Sequence, residues 1–413
     1  QSVERIIERD LKLRFVVGNW MEMKALGEIC EVISGGTPLR SRTEFWENGD
    51  IPWIKIGNMN GKYINKSDEY ITKLGLKNSA TKILPIGTIL YSIFATLGET
   101  GILSIEACTN QAIAGIIIKD RTQVCTEYLY YFLKSKKKNV RDIGRGVAQN
   151  NINISILKEF KVFLPERVIQ CKIADIFDKI ENIIDMRKVE LDLLDKLVRA
   201  RFVEMFGSIY NNEYGYNIKT LQDVCEPIKD GTHQTPTYTE NMEKGFKFLS
   251  SKDVVSGKID WSKVKYIPKE LHEELYSRIK PQIGDLLLAK NGTTGVAAIV
   301  ETDEVFDIYV SLAILRPVDI NSVYLWGAVN SMETKRQFDG ALKGIGVPNL
   351  HLGEIKKTRI VVPPIQIQAE FEQFVHQVNK SKVEVQKALD KAQLLFDSLM
   401  QKYFGQIINS KKI

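Results

Sequence analysis

Residues 364–406 read PIQIQAEFEQFVHQVNKSKVEVQKALDKAQLLFDSLMQKYFGQ, with neither glycine nor proline between Pro364 and Gly405. Apolar residues recur here with the seven-residue period of a helix that packs along a partner helix. The two inward-facing positions of the heptad hold Phe371, Val375, Val378, Lys382, Val385, Leu389, Ala392, Phe396, Leu399 and Tyr403. Only Lys382 interrupts this apolar seam. The stretch predicts one helix, about 60 Å long at the usual rise per residue.

A second stretch of the same kind precedes it at an offset of 198 residues. Residues 166–207 read ERVIQCKIADIFDKIENIIDMRKVELDLLDKLVRARFVEMFG. Its seam positions hold Ile173, Phe177, Ile180, Ile184, Arg187, Leu191, Leu194, Val198, Arg201 and Met205. Each helix could pack on its own domain. Two seams of equal length in a duplicated chain instead favour antiparallel pairing about a pseudo-twofold axis.

The duplication extends beyond the helices to nearly the whole chain. LGEICE at 26–31 is echoed by LQDVCE at 221–226, and Gly36–Thr37 is matched with Gly231–Thr232, both at an offset of 195. The loop 98–101 is matched with 292–295. After these, Pro165 and Gln170 match Pro363 and Gln368, and Phe206–Gly207 matches Phe404–Gly405. Matches that stay in order over this length indicate an internal repeat.

Each copy begins with a block of short alternating segments bounded by Gly, Pro, Asn and Asp, which predicts β-strands. The predicted strands are 53–56, 88–93 and 112–118 in the first block, and 246–249, 285–288, 297–300 and 312–315 in the second. A short helix is predicted at 126–136 and at 323–337. We expect an α+β fold: two β-rich domains separated by two long antiparallel coiled-coil helices.

The repeat also predicts the domain boundaries. The segments are an unassigned N-terminal extension (1–20), the first β-rich domain (21–165), the first long helix (166–207), a linker (208–220), the second β-rich domain (221–363), the second long helix (364–406) and a tail (407–413).

Composition restricts the class of protein. The chain has 413 residues, 44% of them apolar and 57 Lys and Arg against 51 Asp and Glu, a formal net charge of +6. The charge tolerates a polyanionic partner without demanding one. An odd set of five cysteines without C-x-x-C spacing argues against a disulfide framework and a zinc site. No long uncharged apolar run occurs, so we expect a cytoplasmic protein without a membrane partner.

The first block opens with SGGTP at 34–38, followed by Phe45–Trp46 and GDIPWI at 49–54. The second opens with DGTHQTP at 230–236, followed by Tyr238. These motifs, with the proline and glutamine that begin each long helix, resemble the target-recognition domains and helices of type I restriction-modification specificity subunits. The resemblance covers roughly residues 20 to 406.

The resemblance implies a non-catalytic subunit that binds double-stranded DNA. Each domain would read one half of a bipartite asymmetric site. The paired helices would set the spacing and dock two methyltransferase subunits, joined by restriction subunits in the full complex. S-adenosylmethionine and ATP would bind those partners, and this chain would hold no cofactor.

A catalytic protein is the alternative to a binding subunit. The sequence has no Asn-Pro-Pro-Tyr or Asp-Pro-Pro-Tyr, no phosphate-binding G-x-x-x-x-G-K-[ST] loop and no H-E-x-x-H metal pair. Nuclease-like spacings at 50–55 and 285–290 hold Trp53 and Leu288 where the acid would stand. We therefore predict no catalytic and no metal-binding residues. A protein scaffold with a paired-helix spine, or the recognition part of a fused methyltransferase or nuclease, remains the alternative.

DNA recognition needs cations for phosphate and amide or forked side chains for base edges. Both copies supply such residues near loops. The candidates in the first copy are Arg40, Arg42, Lys137, Arg141, Arg145 and Gln149. Those in the second are Lys229, His233, Gln234, Lys290, Asn291, Lys335, Arg336 and Lys343. Each cluster of charges could instead be a solvated surface. Trp53 and Trp261 are more typical of a core than of base stacking.

Overall fold

The computed structural model describes residues 22–137, 152–292, 294–342 and 348–405. The chain forms two compact units, and each contains one β-rich domain. Unit 1 comprises residues up to 186 together with those from 388 onward, and unit 2 comprises residues 187–387. Both long helices contribute one half to each unit, so the antiparallel pairing can be seen within either unit.

The described residues of unit 1 form ten short strands. They are β1 (Glu22–Ala25), β2 (Cys30–Ser34), β3 (Ile51–Ile54), β4 (Tyr63–Ile64), β5 (Tyr70–Ile71), β6 (Ile89–Ser92), β7 (Thr100–Leu103), β8 (Cys108–Thr109), β9 (Ile113–Ile118) and β10 (Lys161–Leu164). They form a five-stranded sheet in the order β2-β9-β6-β7-β4, a three-stranded sheet β5-β3-β8 and the pair β1-β10. Strand β6 is buried along its whole length, as expected at the centre of a sheet.

Four short α-helices lie in the described part of the first domain. They are α1 (Leu26–Ile29), α2 (Lys73–Lys77), α3 (Thr126–Ser135) and α4 (Ile154–Lys158). The side chains of α3 from Tyr128 to Leu133 are all buried, because this helix lies between the sheet and the long helices. The Thr72 hydroxyl caps α2 and the Asn153 side chain caps α4, each accepting a backbone N–H of the first turn.

The first long helix is α5 (Arg167–Phe206), and it crosses from unit 1 into unit 2.

Unit 2 repeats this plan, with eleven strands in its described residues. They are β11 (Asn217–Thr220), β12 (Lys229–Asp230), β13 (Phe246–Leu249), β14 (Val254–Val255), β15 (Lys258–Ile259), β16 (Lys265–Ile267), β17 (Leu286–Ala289), β18 (Ala297–Ile299), β19 (Phe306–Ile308), β20 (Leu312–Leu315) and β21 (Arg359–Val362). The sheets are β12-β20-β17-β18, β16-β13-β19, β14-β15 and β11-β21. In both units the strand after the opening turn runs parallel to a later strand, β3 with β8 and β13 with β19.

The helices of unit 2 differ more from those of unit 1. They are α6 (Lys269–Arg278), α7 (Ser322–Val329), α8 (Met332–Ala341), α9 (Leu352–Lys357) and the second long helix α10 (Ile365–Phe404). The single helix predicted at 323–337 is wrong, because it divides into α7 and α8. Ser331 begins α8 by accepting the Thr334 N–H with its hydroxyl, which favours a new helix start over continuation.

The two long helices pair in an antiparallel way within each unit. In unit 1, Phe177 from α5 lies 5.3 Å from Phe396 and 5.7 Å from Phe404 of α10, measured between ring centroids. In unit 2, Phe202 and Phe206 from the end of α5 each lie 5.4 Å from Phe371 near the start of α10. Opposite ends of the helices meet, which is antiparallel pairing. This confirms the predicted fold class at the level of each unit.

Burial identifies the seam along which the helices pack. The buried positions are Ile173, Phe177, Ile180, Ile184, Val198, Phe371, Val375, Val378, Val385, Phe396 and Leu399, and the half-buried apolar ones are Leu191, Leu194, Met205, Leu389, Ala392 and Tyr403. Near the end of α5 the burial shifts by one residue, to Phe202 and Phe206 instead of Arg201 and Met205. A straight helix drifts against a strict heptad, and the shift brings two aromatic rings onto Tyr324.

Two buried glutamines attach the long helices to the short helices of the domains. Gln170 accepts the Cys125 N–H at 3.0 Å and donates to Pro165 O at 2.7 Å. Gln368 accepts the Asn321 N–H at 2.8 Å and donates to Pro363 O at 2.7 Å. The repeated proline and glutamine of the sequence are therefore a hydrogen-bonded clamp in both units.

The segment predicted as a linker, 208–220, is partly a strand. Strand β11 lies within it and pairs with β21, from Asn217 opposite Val362 to Thr220 opposite Arg359. The polar composition suggested a loop, but β1 and β10 form the same two-stranded pairing in unit 1. No helix in the described ranges combines the length and apolar character needed to cross a membrane.

Candidate nucleic-acid interface

Each domain begins with a turn, residues 34–38 in unit 1 and 230–236 in unit 2, which we call the opening turn. A glycine that packs against a neighbouring backbone fixes this turn in both units. A Cβ atom at Gly35 would lie 2.0 Å from Asn110 O, and one at Gly231 would lie 2.0 Å from Ile308 O. Gly35 N donates to Ile113 O, and Gly231 N donates to Leu312 O. These matching bonds make Gly35 the counterpart of Gly231.

The sequence match of Gly36 with Gly231 is therefore wrong by one residue. The second glycine-containing loop shows a related error. Gly98, with φ +83°, donates to Ser92 O, while Gly295, with φ +82°, donates to Ala289 O. Hydrogen bonds thus pair Gly98 with Gly295 and not with Gly292. A glycine suits both positions because other residues rarely adopt positive φ.

Arg40 is held against the opening turn of unit 1. Its guanidinium lies 3.7 Å above the Trp46 ring and 4.8 Å from the Trp53 ring. Trp53 is buried, and its Nε1 donates to Gly36 O at 2.9 Å, so this tryptophan belongs to the core. The side chain of Arg40 remains 53% exposed. A cation stacked on aromatic rings loses little entropy when it binds an anion.

Glu69 fixes the position of Arg40 from the other side. One carboxylate oxygen lies 2.6 Å from Arg40 Nη2, and the other binds Lys55 Nζ. Burial acts to raise the pKa of Glu69, but the hydrogen bonds from Lys55 and Arg40 outweigh it and hold this pKa below its usual value. Two cations therefore share one carboxylate, and the group carries a net positive charge.

Asp230 organises a similar group at the opening turn of unit 2. Its Oδ2 atom lies 3.0 Å from Lys290 Nζ and 3.3 Å from His233 Nε2. Arg278 donates from Nη2 to Asp230 O at 2.9 Å, and the same nitrogen lies 3.9 Å from Oδ1. Lys290 is only 5% exposed. Lys290 was predicted to contact DNA. The structure corrects this prediction, because the Lys290 ammonium is buried and paired with the Asp230 carboxylate.

The repeats differ at this buried pair. In unit 1, Ile93 N donates to Ala112 O, and in unit 2, Lys290 N donates to Ser311 O. These two bonds are equivalent, so Ile93 is the counterpart of Lys290. The sheet registers likewise place Ser34 where Asp230 stands. Unit 1 thus has neither charge at these two positions, and the ion pair is specific to unit 2.

The remaining candidates lie at the surface in several places. Arg42 bonds Glu44 at 2.9 Å, and Lys137 bonds Glu99 at 2.7 Å. Lys229, Gln234, Lys335 and Arg336 are exposed, the last two on α8. Arg141, Arg145, Gln149 and Lys343 lie outside the described residues.

Asn291 follows Lys290 and forms a β-bridge with Asn349. The side-chain oxygens of both asparagines are buried, and among the described residues neither oxygen has a hydrogen-bond donor. A buried acceptor without a donor costs about 1–3 kcal/mol, so such atoms are suited to receive a donor from a ligand. Asn349 was missed as a candidate, although its counterpart position Asn151 marks the same repeat motif in the sequence.

Asp285, which begins one of the two nuclease-like spacings, has a structural role. Asp285 is buried and binds Arg316 through two contacts of 2.8 Å, Nε to Oδ1 and Nη2 to Oδ2. His272, which lies outside both spacings, is buried and stacks on Phe246. In the part of the chain that the structure describes, no group of His, Cys, Asp and Glu could hold a metal ion. What the sites offer is positive charge and amide groups on loops, which suits binding of a polyanion.

A family model described as the type I restriction modification DNA specificity domain matches the chain twice, over residues 18–195 and 213–394. The chain is 27% identical over 413 residues to the type I restriction enzyme MjaIX specificity subunit of Methanocaldococcus jannaschii, with 94% of this chain and 93% of that protein covered. It is 31% identical over 183 residues to the EcoR124I/EcoR124II specificity subunit of Escherichia coli, covering 42% of this chain and 44% of that one.

Solved structures show the same fold. A chain from a study of complex assembly and conformational transition in a type I restriction-modification system is similar with a TM-score of 0.62 and 17% identity, covering 94% of this chain and 98% of that chain. The type I specificity subunit of M. genitalium is similar with a TM-score of 0.51 and 14% identity, covering 94% and 97%. With both halves matched by the family model, this chain belongs to the family of type I restriction-modification DNA specificity subunits.

Proposed function

We propose that this chain is the subunit through which a type I restriction-modification complex recognises its DNA site. Each β-rich domain reads one half of a bipartite, asymmetric sequence. The observation that carries the proposal is the repetition of one plan in two units, each with a cationic opening turn. Two domains that share a plan but differ in sequence are suited to bind two different half-sites.

The surface of each opening turn supports contact with the DNA backbone. In unit 1 the exposed guanidinium of Arg40 lies next to the Glu69 carboxylate. In unit 2 the exposed imidazole of His233 lies next to the Asp230 carboxylate. Phosphate contacts of this kind give affinity and position but no sequence information. Amide groups such as Asn291 provide the donors and acceptors that base edges require.

The long helices supply a surface for protein partners. Val189, Leu193 and Leu197 of α5 are all about half exposed or more, and their spacing of four residues places them on one helix face. This apolar face lies outside the seam shared with α10. We assign it to docking of the methyltransferase subunits, two per complex, with restriction subunits joining the full assembly. The same helices act as the spacer between the half-sites.

The chemistry of the complex belongs to the partners. S-adenosylmethionine binds the methyltransferase subunits and ATP the restriction subunits, while this chain, working in the cytoplasm where the cell's DNA lies, holds no cofactor. In a calorimetric titration of the isolated chain we expect no heat of S-adenosylmethionine binding. Addition of the methyltransferase partner provides the positive control, and stoichiometric binding to this chain alone would contradict the assignment.

Exchange of one domain tests the proposal directly. Residues 221–348 are replaced by the corresponding block of another specificity subunit, and methylation is mapped by single-molecule sequencing in cells that also express the partner subunits. One half of the methylated sequence should change while the other half stays the same, because each unit has its own core. A swap that alters both halves would show that the two units do not read independently.

A further inference from the structure

Arg278 lies in helix α6, far in sequence from the opening turn that it contacts. It ends this helix, and its Nη2 atom donates to Asp230 O at 2.9 Å. The side chain remains 52% exposed. In the described part of the chain, the other guanidinium nitrogens of Arg278 have no hydrogen-bond acceptor. Donor groups of this residue are therefore directed to solvent beside the opening turn.

The position of Arg278 resembles that of Arg40 in unit 1, although Arg40 stacks on two tryptophan rings while Arg278 is held by the carbonyl of Asp230. Each arginine contacts the opening segment of its unit and lies near a carboxylate that also binds a lysine: Glu69 with Lys55, and Asp230 with Lys290. The two arginines have nearly the same exposure, 53% and 52%. They come from different positions, because Arg40 follows the opening turn directly while Arg278 follows a separate strand and helix. An exposed arginine therefore lies at the opening turn of each unit, although the two arginines come from different elements.

The local charge favours an anion at this place. Asp230 supplies one negative charge, which the buried Lys290 neutralises, and Asp307, which lines the same small cavity as Arg278, is paired with His272 at 2.7 Å. The positive charge of Arg278 is then uncompensated within the group, and His233 beside it is 69% exposed at its side chain. A guanidinium with free donors in a fixed position matches the geometry of a phosphate group.

We propose that Arg278 is a DNA-phosphate contact of unit 2, equivalent in role to Arg40 in unit 1. The proposal rests on the DNA-reading function proposed above and adds the chemical group that Arg278 binds. A phosphate contact contributes equally to all sequences, whereas a base contact contributes only to the correct one. The two roles therefore give different results in a binding experiment.

The test measures DNA binding by the full chain assembled with its methyltransferase subunits. Fluorescence anisotropy is recorded over a series of salt concentrations with two duplexes: one carries the mapped methylation site, and the other has the half-sequence of unit 2 scrambled. For Arg278→Ala we expect weaker binding to both duplexes by a similar factor, on the order of 3 to 10. The slope of log affinity against log salt should fall in magnitude by about one, the value for one lost phosphate contact.

Two further variants serve as controls. Lys269→Ala removes an exposed cation from the same helix, where Lys269 lies 3.5 Å from Glu273, and should leave the slope unchanged. Arg278→Lys keeps the charge and should retain most of the slope. Equal thermal unfolding of Arg278→Ala and the parent shows that the fold is intact.

The outcomes separate this inference from the broader function. If the parent distinguishes the two duplexes but Arg278→Ala has the parent's slope, only the phosphate contact is overturned. If Arg278→Ala instead loses discrimination between the duplexes, the residue reads a base and the phosphate assignment is wrong. A parent complex that binds both duplexes equally and without salt dependence would overturn the proposed function itself.

Discussion

At the scale of single residues, the buried pair of Asp230 and Lys290 is the part of the site most sensitive to substitution. Lys290→Met removes the cation and, among the described residues, leaves Asp230 with the more distant His233 and Arg278. We expect the free energy of unfolding to fall by about 3 kcal/mol, because a buried charge that loses its partner is costly. Thermal unfolding of the full chain measures this loss as a lower Tm.

The first repeat supplies the matched control for this prediction. The double variant Asp230→Ser with Lys290→Ile introduces the residues found at the corresponding positions, Ser34 and Ile93. Replacement of a buried ion pair by a compatible uncharged pair is often close to neutral. The double variant should therefore regain most of the lost stability. A double variant as unstable as Lys290→Met would disprove the interpretation.

At the scale of elements, the glutamine clamp joins each long helix to its domain. Gln368→Leu removes the acceptor of the Asn321 N–H and the donor to Pro363 O, and Gln368 is 1% exposed. Two buried backbone groups without partners cost about 2–5 kcal/mol together. We expect Tm to fall by roughly 4 °C or more. The exposed Gln373→Leu on the same helix is the control, and equal Tm values for both variants would exclude a structural clamp.

At the scale of the whole molecule, the length of the helices is proposed to set the gap between the two half-sites. Four residues inserted near Arg187 add about 6 Å, or about one to two base pairs at 3.4 Å per step. Part of this is absorbed locally, since four residues are not a full heptad. The methylated motif should keep both half-sequences while its gap grows by about one or two base pairs, as measured by single-molecule sequencing.

Insertion of four residues after Tyr210 provides the control for the spacer. This position lies in a turn after α5, outside the long helices, so the gap should not change. The ruler role would be refuted by a helix-insertion variant that stays active with an unchanged gap, or one whose half-sequences change.

Several features of this protein could be predicted from the sequence, because they depend on local patterns. The heptad period of 364–406 predicted a long helix, and the structure has it as Ile365–Phe404. The duplicated proline, glutamine and C-terminal phenylalanine predicted a repeat, and the structure shows why they recur: each has the same contacts in both units. Period and spacing are properties of consecutive residues, so no knowledge of distant contacts is needed.

Other features were decided only by the tertiary structure. Lys290 was predicted as a DNA contact, but the sheet register places it against Asp230 in the interior. Arg278 gave no signal in the sequence, because it lies 48 residues after Asp230. It contacts the opening turn only once the intervening chain has folded. The counterpart of Gly231 proved to be Gly35 because hydrogen bonds, and not similarity of letters, define equivalent positions. Contacts between residues far apart in the chain depend on strand register and on how the connecting segments fold, and a single sequence does not specify either.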